Sequence, residues 1–541
     1  MVHFLNEVLA AFARHKSLPI FKQLAPPEGL GAEQKTWIPV TYGAFKGDID
    51  RAALHWLTVL SSRGFVSADV VGLWLTGHSY TDLVHMYAIC RVGFVPQLFS
   101  LSYSGADVVQ DLLTACNAKV LLFDPSFSDA VTTITVPCIG IPALDTIPAS
   151  LLPPPTLPSV EETDVAMIFH TSGTTSGKPK PVPETHRYLT GQQMQWQGVW
   201  QGKFETQDIF NQLGSFAHVG TATALSYLSV SGQCLVQTSR ADFDADEFLA
   251  LVKDGGVNRV FLYAPWLSNI LKRARTDPQV LSALKAMRQI IYTGASMNPE
   301  DETWMVAQGL PATLMYASTE CCLCLISDLE EREHLPAMRI ISGVELEFVP
   351  TKQVTSSDLT EGQGADESPL YDLFIPASSR NCPHPTVRNR PPDGHIAGDL
   401  FQEVRPGRYI FRGRNDDWVR NSKSVAFCDT KAIEDNVLLV CSDIVRHCTV
   451  VGHNKPFVVL FVEPVVPLPS EEAATALKMQ ILELTTPFNA RLFLHERISV
   501  PEHIVVVSSG SLSRTKEKGN IRRKAVENEF AATLDSIYSA A

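Results

Sequence analysis

The chain has 541 residues, 45% of them hydrophobic and 19% charged, a composition typical of a globular protein with about two to four structural units. Its formal net charge of −13 argues against binding to nucleic-acid phosphates as the main activity. Eleven cysteines without regular spacing do not suit a disulfide framework and indicate a reducing, cytoplasmic compartment. No apolar run reaches the length of about 18 residues that a membrane span requires.

The first elements along the chain predict a layered α/β fold. Residues 1–19 form the pattern of a short amphipathic helix and lack the features of a secretory signal. Residues 70–75 (VVGLWL) predict a buried strand, residues 81–92 a helix that ends before Gly93, and residues 120–123 (VLLF) another strand. This alternation of strand and helix predicts a mostly parallel sheet.

Composition changes divide the rest of the chain. Residues 147–158 (IPASLLPPPTLP) predict a proline-rich connector, and residues 352–368 are polar enough to predict a flexible loop. Cys321, Cys322 and Cys324 cluster, but no second pair at zinc-site spacing accompanies them, so a buried strand is the better interpretation. The charged turn RGRNDDWVR opens a last unit with its own strands. We therefore expect two domains, residues 1–414 and residues 415–541.

Residues 171–180 (TSGTTSGKPK), directly after the apolar segment VAMIF, are the strongest local signal for function. Hydroxyl groups, backbone N–H groups and two lysines in this density suit the binding of phosphate oxygens. The Walker phosphate loop does not fit, because Ser172 stands where its first glycine belongs and Pro179 where it needs Ser or Thr. A flexible turn without a ligand is the other alternative.

This loop resembles the phosphate-loop signature of the adenylate-forming superfamily, which contains acyl-CoA synthetases, peptide-synthetase adenylation domains and luciferases. Other segments resemble further motifs of that family in the family's own order: VTYGAF (40–45), RVGFVP (91–96), GSFAHVG (214–220), YTGAS (292–296), YASTE (316–320), AGDL (397–400), GRNDD (413–417) and SRTKEKGNIRRK (513–524). The resemblance spans residues 40–525. The residues of several motifs are most similar to those of fungal stand-alone or reductase-linked, peptide-synthetase-like proteins, which implies a role in secondary metabolism.

The resemblance implies an α/β fold with a large N-terminal domain of layered sheets and helices and a small, mobile C-terminal α+β domain, with Asp416 at the hinge. It implies ATP-dependent activation of a carboxylic acid to an acyl-adenylate with release of pyrophosphate. Transfer to an external thiol would follow, as in an acid–thiol ligase. The implied cofactors are ATP and Mg²⁺, with CoA or a phosphopantetheinyl carrier protein as co-substrate.

The resemblance also implies the nucleotide site. The residues expected to cradle the β- and γ-phosphates are Thr171, Ser172, Gly173, Thr174, Thr175 and Lys180. The adenine and ribose groups would meet Gly294, Ala295, Tyr316, Asp399 and Arg414. Tyr316 would stack on adenine, and Asp399 would accept hydrogen bonds from the two ribose hydroxyls. Taken locally, Tyr316 could instead be a core aromatic, and residues 398–399 could be a plain turn.

Thr319 is expected to reach the α-phosphate, and Glu320 to bind Mg²⁺, because a hard cation prefers carboxylate oxygen. Without the other motifs, this pair would suggest a helix N-cap followed by a first-turn acid. His218 is either a core histidine or a residue beside the acyl pocket. The resemblance gives it a place among the catalytic and substrate-binding residues.

The catalytic lysine of the family corresponds best to Lys518, with Lys516 as the second candidate. Other members carry that lysine where this chain has Asn520, whereas the fungal variant of the motif assigns it to Lys518. A solvated basic surface is the alternative for this segment, and Arg522, Arg523 and Lys524 suit that interpretation.

The expected class of substrate and the expected acyl acceptor are inferred from two features that the sequence does not contain. The segment SFAHVGTAT (215–223) has no acid to pair with an α-ammonium group, so we expect an aryl, alkyl or keto acid rather than an α-amino acid. Too little chain follows Arg523 for a carrier domain, so the expected acceptor is external: CoA, a carrier protein or an amine. An amide-forming ligase, a non-catalytic nucleotide- or acyl-binding protein and a luciferase-like oxidase remain as alternatives.

Overall fold

The computed structural model describes residues 3–25, 35–99, 103, 105–149, 152–171, 179–202, 204–212, 214–239, 243–294, 297–351, 369–414, 418–420, 427–490, 492, 496–514 and 521–540. Numbered in chain order, its helices are α1 Leu5–Arg14, α2 Tyr42–Ser61, α3 Tyr80–Arg91, α4 Ala106–Ala115, α5 His186–Val199, α6 Val219–Ala222, α7 Ala224–Val230, α8 Ala245–Lys253, α9 Ala264–Ala274, α10 Pro278–Ala286, α11 Pro299–Ala307, α12 Thr430–Val440, α13 Glu471–Asn489, α14 Arg523–Glu529 and α15 Ala531–Ala540.

The strands are numbered in the same way. They are β1 Pro19–Leu24, β2 Trp37–Thr41, β3 Val70–Trp74, β4 Val95–Leu98, β5 Val120–Phe123, β6 Cys138–Gly140, β7 Val165–Thr171, β8 Lys180–Thr185, β9 Ile209–Asn211, β10 Cys234–Val236, β11 Arg259–Tyr263, β12 Gln289–Thr293, β13 Ala312–Ser318, β14 Cys322–Ile326, β15 Arg339–Ile340, β16 Glu347–Pro350, β17 Leu370–Pro376, β18 Gly394–Arg405, β19 Arg408–Arg414, β20 Trp418–Arg420, β21 Phe427–Asp429, β22 Val445–Val451, β23 Val459–Pro464 and β24 Ile504–Val506.

The strands before residue 345 form two large sheets. One has six strands in the order β6-β5-β3-β4-β7-β8, with parallel pairing except between β7 and β8. The other has nine strands in the order β15-β14-β13-β12-β11-β9-β10-β1-β2, and its pairs from β13 to β1 are parallel. The predicted α/β architecture with mostly parallel sheets is confirmed.

Helices α2 and α3 show how the sequence builds these layers. A Ser79–Asp82 capping box starts α3, and all of its residues except Thr81 are at least nine-tenths buried. A helix that is buried all round must be covered on every side. Phe45 and Trp56 of α2 lie in the same hydrophobic cluster as much of α3. The strand and helix predicted at residues 70–75 and 81–92 agree with β3 and α3 to within a residue at each end.

The last part of the chain has smaller sheets and cores of its own. Strands β16 to β19 form a four-stranded antiparallel sheet, and β22 to β24 a three-stranded sheet. One hydrophobic cluster, whose members include Val437, Val450, Leu460 and Ile481, draws all its buried residues from the segment 419–504. The division into a large and a small domain is thereby confirmed. The exact boundary at residue 415 lies outside the described residues and stays a prediction.

Two further expectations concern the whole chain. All eleven cysteines are described, and none of them forms a disulfide bond; Cys321, Cys322 and Cys324 are buried as predicted. Among the helices in the described ranges, none combines the length and apolar character needed to cross a bilayer.

Leu122 provides a test of the layered core, because it lies on β5 with no exposed surface. Leu122→Ala should lower the free energy of unfolding by about 2–5 kcal/mol, the loss from removing buried methyl groups and leaving a cavity. Leu57→Ala makes the same chemical change on α2, where the side chain is 37% exposed. Urea unfolding of both variants should separate them clearly, and equal losses would contradict the assigned layers.

Candidate active site

The predicted phosphate loop begins and ends on one β-hairpin. Thr171 is the last residue of β7 and Lys180 the first of β8, and the two are paired in register. Thr171 is half-buried and Lys180 exposed. Of the residues between them, 172–178 lie outside the described residues, so the roles of Ser172, Gly173, Thr174 and Thr175 stay predictions.

His170 fixes the first arm of this loop. Its Nδ1 donates to the Leu98 carbonyl at 2.9 Å, and its Nε2 lies 3.0 Å from the Gln97 amide nitrogen. The ring also stacks on Phe99 at 5.2 Å between centroids. Burial lowers the pKa of His170 to about 4, so its ring is neutral near pH 7 and can accept from Gln97. The hairpin is therefore held to β4 immediately before the loop.

Three of the predicted adenine and ribose residues, Tyr316, Asp399 and Arg414, come together although Tyr316 is far from the other two in sequence. The Tyr316 hydroxyl donates to the Asp399 carboxylate. The backbone of Asp399 lies opposite that of Arg414 in the register of β18 and β19. The Tyr316 ring makes an edge contact with Phe401 at 5.0 Å. Burial and then the Asp399 charge raise the pKa of Tyr316 well above its ordinary value, so the hydroxyl keeps its proton. Asp399 lies in a strand, and the alternative of a plain turn is wrong.

Thr319 and Glu320 occupy the tight turn between the antiparallel strands β13 and β14. The helix N-cap alternative for this pair is therefore wrong. Cys322 has a φ of +49°, a conformation that few non-glycine residues adopt. The turn depends on contacts from outside to hold this geometry.

Those contacts come from Tyr188 and Asn381. The Tyr188 hydroxyl donates to the Thr319 carbonyl at 3.2 Å. The fully buried Asn381 side chain donates to the carbonyls of Cys321 and Leu323, both at 2.8 Å. Its Oδ1 in turn accepts from Gln195 at 2.6 Å. Sequence reasoning missed this support.

A signal for part of it was present in the sequence. Tyr188, Gln192 and Gln195 follow the spacing of one helix face on α5, and all three are buried. Polar residues repeated along a buried helix face require partners, and here those partners belong to the site. Asn381 has no comparable local pattern.

Gly294 follows β12 and has two reasons to be glycine. Its φ is +87°, and a Cβ built on it would lie 2.8 Å from the Tyr263 ring. A side chain here would strain the backbone and displace Tyr263, which belongs to the neighbouring strand β11. Ala295, the next predicted residue, lies outside the described residues.

One of the two interpretations of His218 is wrong. It is exposed and precedes the short helix α6, so it is not a core histidine. The segment around it is anchored to the loop before α3, because the Phe216 N–H donates to the Gly77 carbonyl at 2.8 Å. Gln212, at the end of β9, is fully buried and donates to the Gly214 carbonyl at 2.7 Å. A role of His218 in substrate binding stays a prediction.

The C-terminal basic segment is only partly described, and Lys516 and Lys518 lie outside the described residues. On one side of them, Arg514 donates to Glu463 at 2.6 Å, and this carboxylate is almost fully buried. On the other side, Arg523 donates to Glu434 at 2.5 Å with only 11% of its side chain exposed. The interpretation of Arg523 as solvated charge is therefore wrong, because its guanidinium lies in an ion pair at the start of α14.

Asn381 allows a direct test of how the turn is held. Asn381→Asp replaces a donor by a carboxylate that faces two carbonyl oxygens in a buried position. It should lower the free energy of unfolding by about 2–4 kcal/mol, the cost of leaving buried groups unsatisfied. Asn389→Asp is the matched control, since the Asn389 side chain bonds to the backbone of Ile396 and is exposed. Thermal unfolding of the two variants measures the difference, and equal midpoints would contradict the supporting role.

Comparison with known proteins agrees with this geometry. The profile of the family described as "AMP-binding enzyme" matches residues 22–357, and that of the "AMP-binding enzyme C-terminal domain" matches residues 428–541. The AMP-binding domain-containing enzyme iboA of Amanita muscaria is 32% identical over 510 residues, which cover 92% of this chain and 95% of that protein.

Solved structures have the same fold at low sequence identity. ATP-bound MatB from Rhodopseudomonas palustris superposes with a TM-score of 0.72 at 18% identity, covering 97% of this chain and 98% of that one. The O-succinylbenzoate coenzyme A synthetase MenE of Bacillus subtilis, in complex with ATP and a magnesium ion, gives a TM-score of 0.70 at 16% identity, covering 96% of this chain and 99% of that one. The family profile, the relative that is similar over nearly its full length and the shared fold lead to one conclusion: this chain belongs to the AMP-binding, adenylate-forming enzyme family.

Proposed function

We propose that this enzyme uses Mg-ATP to convert a carboxylic acid into an acyl-adenylate with release of pyrophosphate, and then transfers the acyl group to an external thiol. The contact between Tyr316 and Asp399 carries the proposal. It joins two motifs that are 83 residues apart in sequence and that the family uses for one nucleotide. Family membership makes an adenylate the expected product of such a site.

Each part of the nucleotide has a candidate partner. The Asp399 carboxylate can accept from the ribose hydroxyls while it also accepts from Tyr316, because two carboxylate oxygens offer about four acceptor positions. The Tyr316 ring offers an aromatic face to adenine. Thr171 and Lys180, at the two ends of the loop, are available to the β- and γ-phosphates. These roles are assigned by the motifs and supported by the geometry of the described residues.

Glu320 fits a magnesium ion. Its carboxylate is half-buried on the β13–β14 turn, beside Thr319, and a carboxylate with phosphate oxygens is the usual donor set for Mg²⁺ in nucleotide enzymes. When bound, the ion would reduce the negative charge of the phosphates that repel an incoming carboxylate. Thr319 would bind the α-phosphate next to the reacting centre.

Catalysis of the first half-reaction depends on positioning the reactants and stabilising their charge more than on a covalent bond to the protein. A carboxylate oxygen of the acid attacks the α-phosphorus, a new C–O–P bond forms, and the bond to the bridging oxygen breaks as pyrophosphate leaves. Negative charge accumulates on the α-phosphate oxygens in the transition state. Lys518, on the small domain, is the proposed positive charge at this point, with Lys516 as the second candidate.

In the second half-reaction, a thiolate would attack the acyl carbonyl and AMP would leave. A thiol acceptor is favoured because a structural neighbour, MenE, is a coenzyme A synthetase. Assays with CoA and with a phosphopantetheinyl carrier protein would distinguish the two thiol acceptors. Asp416 is the proposed hinge residue for rotation of the small domain between the two steps.

The acid is proposed to lack an α-ammonium group. Residues 211–223, which contain the segment expected beside the acyl group, include no Asp or Glu. A buried ammonium without a counter-charge would be strongly disfavoured. Comparing α-amino acids with their deaminated counterparts in the same assay tests this point.

The decisive experiment incubates the protein with ATP, Mg²⁺ and pools of carboxylic acids, and detects acyl-AMP by mass spectrometry. Glu320→Gln should slow acid-dependent pyrophosphate formation by about 10²-fold or more, the scale of losing a charged contact in the transition state. Glu330→Gln, a change of the same kind at an exposed position, should keep its activity. If no acid yields an acyl-AMP or pyrophosphate, the proposed reaction is wrong.

Lysine variants separate the two half-reactions. Lys518→Ala should abolish adenylate formation yet leave thioester formation from chemically supplied acyl-AMP largely intact, because the lysine is needed only while charge builds on the α-phosphate. Lys516→Ala is the control for the position of the motif. If Lys516→Ala stops adenylation and Lys518→Ala does not, the assignment of the lysine is shifted by two residues.

A further inference from the structure

A cavity lies at the amino-terminal edge of the six-stranded sheet. It has a volume of about 250 Å³, and its lining residues include Val95 and Val165, which begin β4 and β7. The predicted phosphate loop follows the opposite end of β7, after Thr171. The seven residues of this strand span about 20 Å, so the cavity and the loop lie at opposite edges of the sheet. None of the lining residues takes part in the nucleotide contacts proposed above.

Two buried histidines form part of the cavity wall. His3 and His186 are each 4% exposed, and their ring centroids lie 4.5 Å apart. The Nδ1 of His3 accepts from the Leu5 N–H at 3.2 Å, and the Nδ1 of His186 accepts from the Phe4 N–H at 3.3 Å. Burial lowers the pKa of His3 to about 3 and the pKa of His186 to about 4, so both rings are neutral near pH 7.

The tautomer of each ring follows from these hydrogen bonds. A neutral imidazole carries one proton, and an Nδ1 that accepts a hydrogen bond leaves that proton on Nε2. Both rings therefore keep an Nε2–H donor for which the described residues supply no acceptor. Neither Nε2 atom is sealed from solvent, in contrast to the unpartnered Nδ1 of His395. Because both rings line the cavity, the two donors are open to it.

Two other histidines of the large domain pair both of their ring nitrogens. The Nδ1 of His85 accepts from the Trp56 ring N–H at 2.9 Å, and its Nε2 donates to the Pro142 carbonyl at 3.0 Å. His170 likewise has a partner for each nitrogen. Donors in a buried position normally have an acceptor, because they lose their hydration on folding. The open donors in the cavity therefore indicate an acceptor that comes from outside the chain.

The rest of the wall limits the chemistry of that acceptor. Phe4, Phe94 and Val95 give the cavity an apolar interior, whereas Asp164 is an exposed lining residue. The backbone N–H of His186 donates to the Asp164 carbonyl at 3.0 Å, which holds these two residues side by side. Asp164 would repel a carboxylate ligand, and a cationic ligand would face two N–H donors. An uncharged ligand avoids both costs.

We propose that this cavity binds a small uncharged amide with an apolar substituent. The amide carbonyl would accept from the Nε2–H groups of His3 and His186, and the amide N–H would donate to the Asp164 carboxylate. The volume lies below the roughly 300 Å³ at which pockets for drug-sized ligands begin, so it suits a molecule of one ring. A metal ion does not fit, since no three His, Cys, Asp or Glu side chains in the described ranges are placed to hold one.

Three probes of one shape separate the possible charges of the ligand. Benzamide is uncharged, benzoate carries a negative charge and benzamidine a positive one. Each is titrated into the full-length protein labelled with ¹³C at the Cε1 of histidine, and NMR follows the two resonances that disappear in His3→Phe and in His186→Phe. Benzamide should shift both resonances to saturation. The two charged probes should bind at least about tenfold more weakly, because an unpaired charge is costly to bury.

Variants test the donors and the acid separately. His186→Phe keeps a ring but removes its donor, so it should weaken benzamide binding by about tenfold, measured on the remaining His3 resonance. His447→Phe makes the same change at an exposed position of β22 and should leave the affinity within about twofold of the wild type. Asp164→Asn changes an exposed residue and covers the case in which a histidine variant does not fold. It should strengthen benzoate binding relative to benzamide by about fivefold or more, because the repulsion is removed.

The results decide the proposal without reference to acyl-AMP formation. If benzamide shifts neither resonance up to the limit of its solubility, the cavity holds only water and the proposal is wrong. If benzoate or benzamidine binds the wild type as tightly as benzamide does, the site does not select an uncharged ligand, and the assigned chemistry is overturned. Saturable benzamide binding at both histidines, its weakening in His186→Phe and the gain of benzoate binding in Asp164→Asn support the assigned site.

Discussion

The geometry of the candidate site depends on how one tight turn is held between two antiparallel strands. Thr319 and Glu320 occupy that turn, and the carbonyls of Cys321 and Leu323, which follow them, accept hydrogen bonds from the buried amide of Asn381. An antiparallel hairpin would otherwise leave these carbonyls unpaired away from water, which is costly. Asn381 satisfies two of them at once and therefore fixes both the path of the chain and the direction of its side chains.

The antiparallel sheet of β16 to β19 brings the second half of the candidate nucleotide site to this turn. Met338 and Tyr409 exchange two backbone hydrogen bonds of 2.8 Å each, which join the segment before β15 to β19. Beneath this junction, Phe401, Leu373 and Met338 share one buried cluster with Cys324 of β14. Because apolar burial holds the sheet against the hairpin, Asp399 lies where the Tyr316 hydroxyl can donate to it.

Burial also sets the protonation of the groups around the site. His170 keeps a neutral ring and Tyr316 its proton, since desolvation disfavours the charged form of each. Neutral groups of this kind can act as fixed donors and acceptors without competing with the phosphates for cations. The carboxylates of Glu320 and Asp399 are the acids proposed to face the nucleotide.

The sequence by itself determined the family, the α/β class and the identity of the motif residues, because loops that contact phosphate and ribose need particular residue types at fixed local spacing. Local pattern also located β3, α3 and β5, whose periodicity depends only on near neighbours. Taken alone, local pattern did not distinguish a helix cap from a hairpin turn at Thr319–Glu320, because the same residue types suit both. It left the burial of His218 open and misjudged Arg523, because the exposure of a side chain depends on elements far along the chain. Only the tertiary structure decided that Asn381 holds the turn, since its contacts join segments that no local spacing relates.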